Sequence, residues 1–206
     1  MGIKEICQQV PVIPVLVVEE LQQAKPMAEA LVKGGLHVLE VTLRTPVALD
    51  AIRVMSEVEG SVVGAGTVLN AADVKAVKAA GAAFAVSPGA TPELVAAARE
   101  YDLPLLPGAA TASEVMRLME QGFDFLKFFP AEAAGGIPML KSLYGPLAAV
   151  SFCPTGGVSP ANARDYLSLP NIVCVGGSWV TPKALVAAGE WDKITELARE
   201  CSQLRG

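Results

Sequence analysis

Short apolar runs alternate with alanine-rich amphipathic stretches along the whole chain. Runs of strand type begin near Val12, His37, Val62, Phe84, Leu105, Phe125, Val150 and Ile172, at intervals of roughly 20 to 26 residues. Helix-type stretches lie between them at 24–33, 47–57, 71–80, 92–100, 112–121, 138–143, 160–167 and 182–188. A further amphipathic stretch, 191–204, closes the chain. Gly34-Gly35, Gly81 and Gly122 stand where helices should stop, and Asn70, Thr91 and Thr111 where helices should start. Thr111 and Glu114 have the spacing of a capping box. Eight strand-helix alternations without a linker or composition break predict one α/β domain over residues 1–206, a compact (β/α)8 TIM barrel. A doubly wound sheet is the weaker alternative, because no strong dinucleotide fingerprint is present.

Composition narrows the class of partner. Hydrophobic residues make up 52% of the 206 and charged residues only 18%, which suits buried parallel strands and an oligomer contact. A net charge of −5 and the lack of any Lys/Arg run argue against nucleic acid or an anionic membrane as partner. Cys7, Cys153, Cys174 and Cys201 form no Cys-x-x-Cys pair, and His37 is the single histidine, so neither a metal nor a redox cofactor is expected. Scattered thiols of this kind fit a reduced, cytoplasmic protein. The apolar stretch from Val10 to Val18 contains Pro11 and Pro14 and reads as a first strand, not an export signal. The uncharged stretch 142–163 is cut by Pro146, Pro154 and Pro160, which rules it out as a membrane helix.

Against this background two charges stand out. Lys127 sits within Phe125-Leu126-Lys127-Phe128-Phe129-Pro130, a run that reads as a buried strand. Burial disfavours a charged amine, and a neutral amine is a nucleophile of the Schiff-base type. The alternatives are a lysine snorkelling to the strand end or one held in a structural ion pair. Glu40 shares one strand face with Thr42 and Arg44, inside another apolar run. It is either a general base or the partner of Arg44 or Lys127 in an ion pair. If strand six turns Lys127 inward, amine and carboxylate face each other at the mouth of the barrel, a minimal kit for carbonyl chemistry through an imine.

Two glycine turns follow the last two strands, Thr155-Gly156-Gly157-Val158-Ser159 and Gly176-Gly177-Ser178-Trp179. Loops at these positions are where barrels of this type bind phosphate through backbone N–H groups. Gly64-Ala65-Gly66-Thr67 ends strand three, where Thr67 either binds a carboxylate or simply completes a turn. Ser87-Pro88-Gly89 and Pro107-Gly108 should shape the rim. His37 and Trp179 read as packing residues.

Taken in order, the segments 40–45, 64–68, 87–89, 126–132, 153–158 and 176–179 resemble 2-keto-3-deoxy-6-phosphogluconate (KDPG) aldolase and its 4-hydroxy-2-oxoglutarate aldolase relatives. The resemblance implies a metal-free, cofactor-independent class I aldolase of the Entner-Doudoroff pathway, a lyase and a homotrimer. Its small-molecule partner would be a phosphorylated 2-keto sugar acid, cleaved to pyruvate and glyceraldehyde 3-phosphate, with side activity on 4-hydroxy-2-oxoglutarate or oxaloacetate. Lys127 would form the Schiff base and Glu40 would carry the proton. Arg44 and Thr67 would hold the pyruvyl carboxylate, and Gly156, Gly157 and Ser178 the phosphate. Phe129 and Pro88 would pack around the reacting carbons. Thr155 occupies the position linked to stereochemistry at carbon 4, where a galactonate-type relative carries an apolar residue. Pro46 and Ala134 depart from the pattern at the rim. A galactonate-type aldolase, or a phosphosugar isomerase or epimerase working without an imine, are the competing enzymes, and a non-catalytic binding protein is the remaining class.

Overall fold

A computed structural model describes residues 1–205. Among the described residues there are nine strands: β1 (Val12–Leu16), β2 (Val38–Thr42), β3 (Val62–Gly66), β4 (Phe84–Val86), β5 (Leu105–Leu106), β6 (Gly108–Ala109), β7 (Phe125–Phe128), β8 (Ser151–Pro154) and β9 (Val175–Gly177). The helices are α1 (Ile3–Cys7), α2 (Ala24–Lys33), α3 (Ala48–Ser56), α4 (Ala71–Ala79), α5 (Pro92–Glu100), α6 (Ala112–Glu120), α7 (Gly136–Tyr144), α8 (Ala163–Leu167), α9 (Lys183–Ala187) and α10 (Trp191–Ser202).

All strand pairs are parallel. They form a curled six-stranded sheet in the order β5-β4-β3-β2-β1-β9 and a three-stranded sheet in the order β6-β7-β8. Thus the predicted α/β class and parallel sheet are present, but the ladder does not run unbroken around eight strands. Strand five is split at Pro107, whose ring removes a ladder donor, into β5, which pairs with β4, and β6, which pairs with β7. On the far side, β8 and β9 meet only through the single bridges Phe152↔Ile172 and Thr155↔Gly176. For that reason the last strand starts at Val175 rather than near Ile172: Ile172 touches β8 once, and the regular pairing begins where the chain reaches β1.

Helix boundaries follow the predicted punctuation. The side chains of Asn70, Thr91 and Thr111 accept the N–H groups of Asp73, Leu94 and Glu114. The capping box at α6 is closed, with the Glu114 carboxylate accepting from the N–H of Thr111 at 2.9 Å and of Ala110 at 2.8 Å. Gly35, Gly81 and Gly122 take φ values of 93°, 94° and 83°, the left-handed conformation that ends a helix. Helix α1 was not foreseen; it turns Ile6 and Cys7 into the core. Helix α10 returns to α2, where Thr195 Oγ1 donates to the carbonyl of Ala30 at 3.1 Å and a side chain on Gly34 would strike Ala198. β2 and β7 are buried along their full length, so Glu40 and Lys127 enter a setting with little water.

Candidate active site

Lys127 and Glu40 meet across the molecule. Lys127 Nζ lies 3.3 Å from Glu40 Oε1, and the side chains are 7% and 4% exposed. This removes two of the sequence alternatives. Lys127 does not snorkel, and Glu40 pairs with Lys127, not with Arg44. Register explains the meeting: Lys127 is held by its own N–H donating to the carbonyl of Pro107 at 2.9 Å and stands opposite Gly108 and Cys153. Glu40 stands opposite Val15 and Gly64. The two side chains leave their sheets on the same inner side, and the Lys127 ammonium also sits 5.3 Å from the centroid of the Phe129 ring, a cation–π distance.

A cavity of about 340 Å³ opens over this pair, and every residue given a catalytic or substrate-binding role from the sequence lines it: Glu40, Arg44, Thr67, Pro88, Lys127, Phe129, Thr155, Gly156, Gly157 and Ser178. Its volume suits a small organic ligand. The cavity is graded. Lys127, Glu40, Thr42 and Thr155 are buried at its floor, while Arg44, Gly157 and Ser178 are exposed at its rim. Val15 and Val158 also line it and were not anticipated. Val15 is an ordinary member of an apolar run and Val158 the one apolar residue of its glycine turn, so nothing local distinguishes either from a packing residue.

Each polar wall has a local cause. Arg44 follows β2 on a turn fixed from both sides: Thr42 Oγ1 donates to the carbonyl of Leu16 at 2.8 Å, and Thr45 Oγ1 to that of Val18 at 2.7 Å. Its guanidinium has no ion-pair partner among the described residues, so it offers its donors to the cavity. Thr67 has φ of 61°, a conformation that a β-branched residue adopts only under constraint. The constraint is visible on either side, where Leu43 N–H donates to the Gly66 carbonyl and Val68 N–H to that of Val86. Such strain costs of order 1–3 kcal/mol and concentrates at functional positions.

The two glycine turns lie side by side because Thr155 bridges Gly176. Gly156 and Gly157 have φ of 100° and 81°, which turns their amides without a side-chain penalty. Gly176 leaves room for the Thr155 side chain, and Gly177 for the Trp179 ring, which therefore packs on the turn. His37 lies away from the cavity, with Nε2 2.9 Å from Gln9 Oε1. Behind Lys127 the Cys153 thiol is held well above its usual pKa by its hydrogen bond with Cys174 and by burial, so it is no second nucleophile. All four cysteines are free and buried.

A cavity that sets a buried amine against a carboxylate, with a free guanidinium and two glycine turns at its rim, can hold a small anion at each end and attack a carbonyl between them. Comparison with known proteins points the same way. The family profile described as KDPG and KHG aldolase matches residues 3–197. The KHG/KDPG aldolase of Escherichia coli K12 is 56% identical over 191 residues, covering 92% of this chain and 90% of that protein. The crystal structure of the Zymomonas mobilis KDPG aldolase with 3-phosphoglycerate is 53% identical, with a TM-score of 0.92 over 98% of this chain and 95% of the other. That of the Legionella pneumophila KDPG aldolase, with pyruvate captured as a covalent carbinolamine, is 49% identical, with a TM-score of 0.94 over 97% of each chain. From its matched length and its agreement with relatives throughout, this chain belongs to the KDPG and KHG aldolase family.

Proposed function

We propose that this protein is a class I aldolase that cleaves 2-dehydro-3-deoxy-6-phosphogluconate to pyruvate and glyceraldehyde 3-phosphate, with side activity on 4-hydroxy-2-oxoglutarate. The observation that carries the reading is the 3.3 Å approach of Lys127 Nζ to Glu40 Oε1 at the floor of the cavity. Lys127, after passing a proton toward Glu40, attacks the carbon 2 ketone; Glu40 returns that proton to the carbinolamine hydroxyl, which leaves as water and gives an iminium. Glu40, through a bound water, takes the proton of the carbon 4 hydroxyl. The bond between carbons 3 and 4 breaks, its electron pair enters the iminium to form an enamine, and the aldehyde leaves. The enamine is reprotonated with the proton held at Glu40, and hydrolysis frees pyruvate and the amine.

The remaining roles rest on position in the cavity. Arg44 gives charge-assisted hydrogen bonds to the carboxylate, supported by the Thr67 hydroxyl. Gly156, Gly157 and Ser178 receive the phosphate. Phe129 and Pro88 flank the reacting carbons, and the Thr155 hydroxyl meets the carbon 4 substituent, which favours the gluconate over the galactonate substrate. In the working enzyme we read residues 1–206 as one domain and the two sheets as one (β/α)8 barrel, closed through the Phe152 and Thr155 bridges and hinged at Pro107. A homotrimer is supported by family membership and by the exposed apolar side chains of Leu69, Met116 and Tyr144. Free cysteines suit a cytoplasmic setting.

Borohydride reduction in the presence of pyruvate tests the chemistry. It should fix the three-carbon acid to the Lys127 peptide, and a label on any other peptide, or none, removes the reading.

A further inference from the structure

The phosphate turn is backed by a pair of residues that do not line the cavity. After Phe128 the chain runs beside the Thr155–Gly157 segment: the Ala131 N–H donates to the Thr155 carbonyl at 2.8 Å and the Glu132 N–H to the Gly156 carbonyl at 3.0 Å. Glu132 then lays its side-chain stem against Gly157, where a Cβ would fall 2.5 Å from Glu132 Cγ and 2.7 Å from its Cβ. The stem is fixed at its far end, because the hydroxyl of Tyr166 donates to Glu132 Oε1. Tyr166 comes from α8, the helix that follows the glycine turn, and is fully buried. Gly136 allows the junction; a Cβ there would come within 3.1 Å of both the carboxylate and the phenol oxygen. Burial first, and the carboxylate second, raise the pKa of the phenol, so it remains a donor at neutral pH.

We infer that Glu132 and Tyr166 are positioning residues whose hydrogen bond latches the Gly156–Gly157 turn to the segment that follows Lys127, and so sets the affinity for the phosphate end of the substrate. Both sides of the latch lead to the site: Tyr166 back along nine positions of chain to Gly157, and Glu132 back along its own segment to Phe129. A carboxylate whose stem fills the space beside Gly157 stops the turn from relaxing away from the cavity. The pair acts on phosphate binding, and not on the amine, because the hydrogen bond lies beyond the turn and outside the cavity lining. The inference rests on the phosphate role proposed above for that turn.

The experiment compares Tyr166→Phe, Glu132→Ala and Glu132→Gln with the parent protein by steady-state cleavage kinetics, direct titration of inorganic phosphate, and borohydride trapping of pyruvate. A lost hydrogen bond to a charged group should raise KM for the phosphorylated substrate, and the Kd of inorganic phosphate, roughly 5- to 50-fold in Tyr166→Phe and Glu132→Ala. In both, kcat and the trapping rate should stay within about two-fold, as expected for lost binding shared by ground and transition states. Glu132→Gln keeps an acceptor oxygen and should recover most of the affinity. If Tyr166→Phe does not fold, the two Glu132 variants carry the same comparison. Unchanged KM and phosphate Kd overturn the latch, and so does a parallel loss of kcat, trapping and phosphate binding, which would mark a general support of the fold. Failure of the parent protein to trap pyruvate at Lys127 would instead strike the aldolase reading, while the phosphate titration would still report on the latch.

Discussion

Gly66 makes the space that the Glu40 carboxylate occupies. A Cβ at position 66 would collide with Glu40 Oε1 and lie 2.8 Å from its Cγ and 2.9 Å from its Cδ. Gly66→Ala should therefore displace the carboxylate from Lys127, lowering kcat at least about ten-fold and stability by about 1–3 kcal/mol, the usual cost of overpacking. Gly89, where a Cβ would meet nothing within 4 Å, is the matched control. Activity and thermal midpoints of the two alanine variants check the claim, and equal behaviour would refute it.

Removing one member of the Lys127–Glu40 pair separates the two chemical roles. Glu40→Gln should retain pyruvate trapping while turnover falls by about 10² to 10⁴, the range of general acid/base help. Lys127→Arg keeps the charge but should show neither trapping nor cleavage, because a guanidinium does not act as the nucleophile. Lys127→Ala leaves the buried carboxylate uncompensated and should also cost about 3–5 kcal/mol in denaturant unfolding. Turnover at the parent rate in Glu40→Gln would take the carboxylate out of the mechanism.

The buried thiols predict a stability limit on the alkaline side. Cys153 and Cys174 are held well above the ordinary value of 9.0, Cys153 by its hydrogen bond with Cys174 and by burial, Cys174 chiefly by burial. A group whose folded pKa is raised gives its full stabilisation below the unfolded value and loses it as pH rises toward the folded one. Unfolding free energy should thus decline above about pH 9, where the unfolded chain ionises its thiols. Cys153→Ala should flatten that decline. A neutral thiol-specific reagent should label the native protein slowly and the urea-unfolded protein at once.

The capping box of α6 predicts an effect on the acid side. Glu114 has a lowered pKa, first through the hydrogen bond from Ala110 N–H and then through those of Thr111, partly offset by desolvation. A lowered carboxylate stabilises above the unfolded value of 4.5 and loses that contribution as pH falls through the folded one. Glu114→Ala should cost roughly 0.5–1 kcal/mol near neutral pH, in the range of helix caps. The gap between parent and variant should close on titration below pH 4.5. A gap independent of pH would assign the effect to helix propensity instead.

Much of the architecture was legible along the chain because the signals are local. The period of apolar positions, the caps at Asn70, Thr91 and Thr111 and the left-handed glycines act within a few residues of themselves. Their elements appear where expected. A five-residue helix such as α1 has too few turns for periodicity to show. The split of strand five at Pro107 depends on which neighbour each half finds. Lys127 and Glu40 were conspicuous because charge inside a strand-type run is costly wherever the run ends up. Glu132 and Tyr166 sent no such signal; each is unremarkable until 34 positions of chain bring them together.

Residue order thus settled which segments become strands and helices and which polar groups must be accommodated in their midst. Folding alone decided the pairing of Glu40 with Lys127 over Arg44, the strained turn at Thr67, the placing of Val15 and Val158 in the cavity wall and the contact between the two glycine turns. The physical reason is register. A strand specifies locally only the alternation of its two faces, whereas the partner opposite each residue is set by parallel pairing with chain that is distant in sequence. Across 87 residues, the match of β6 with β7 and of β1 with β2 is what brings an amine to a carboxylate.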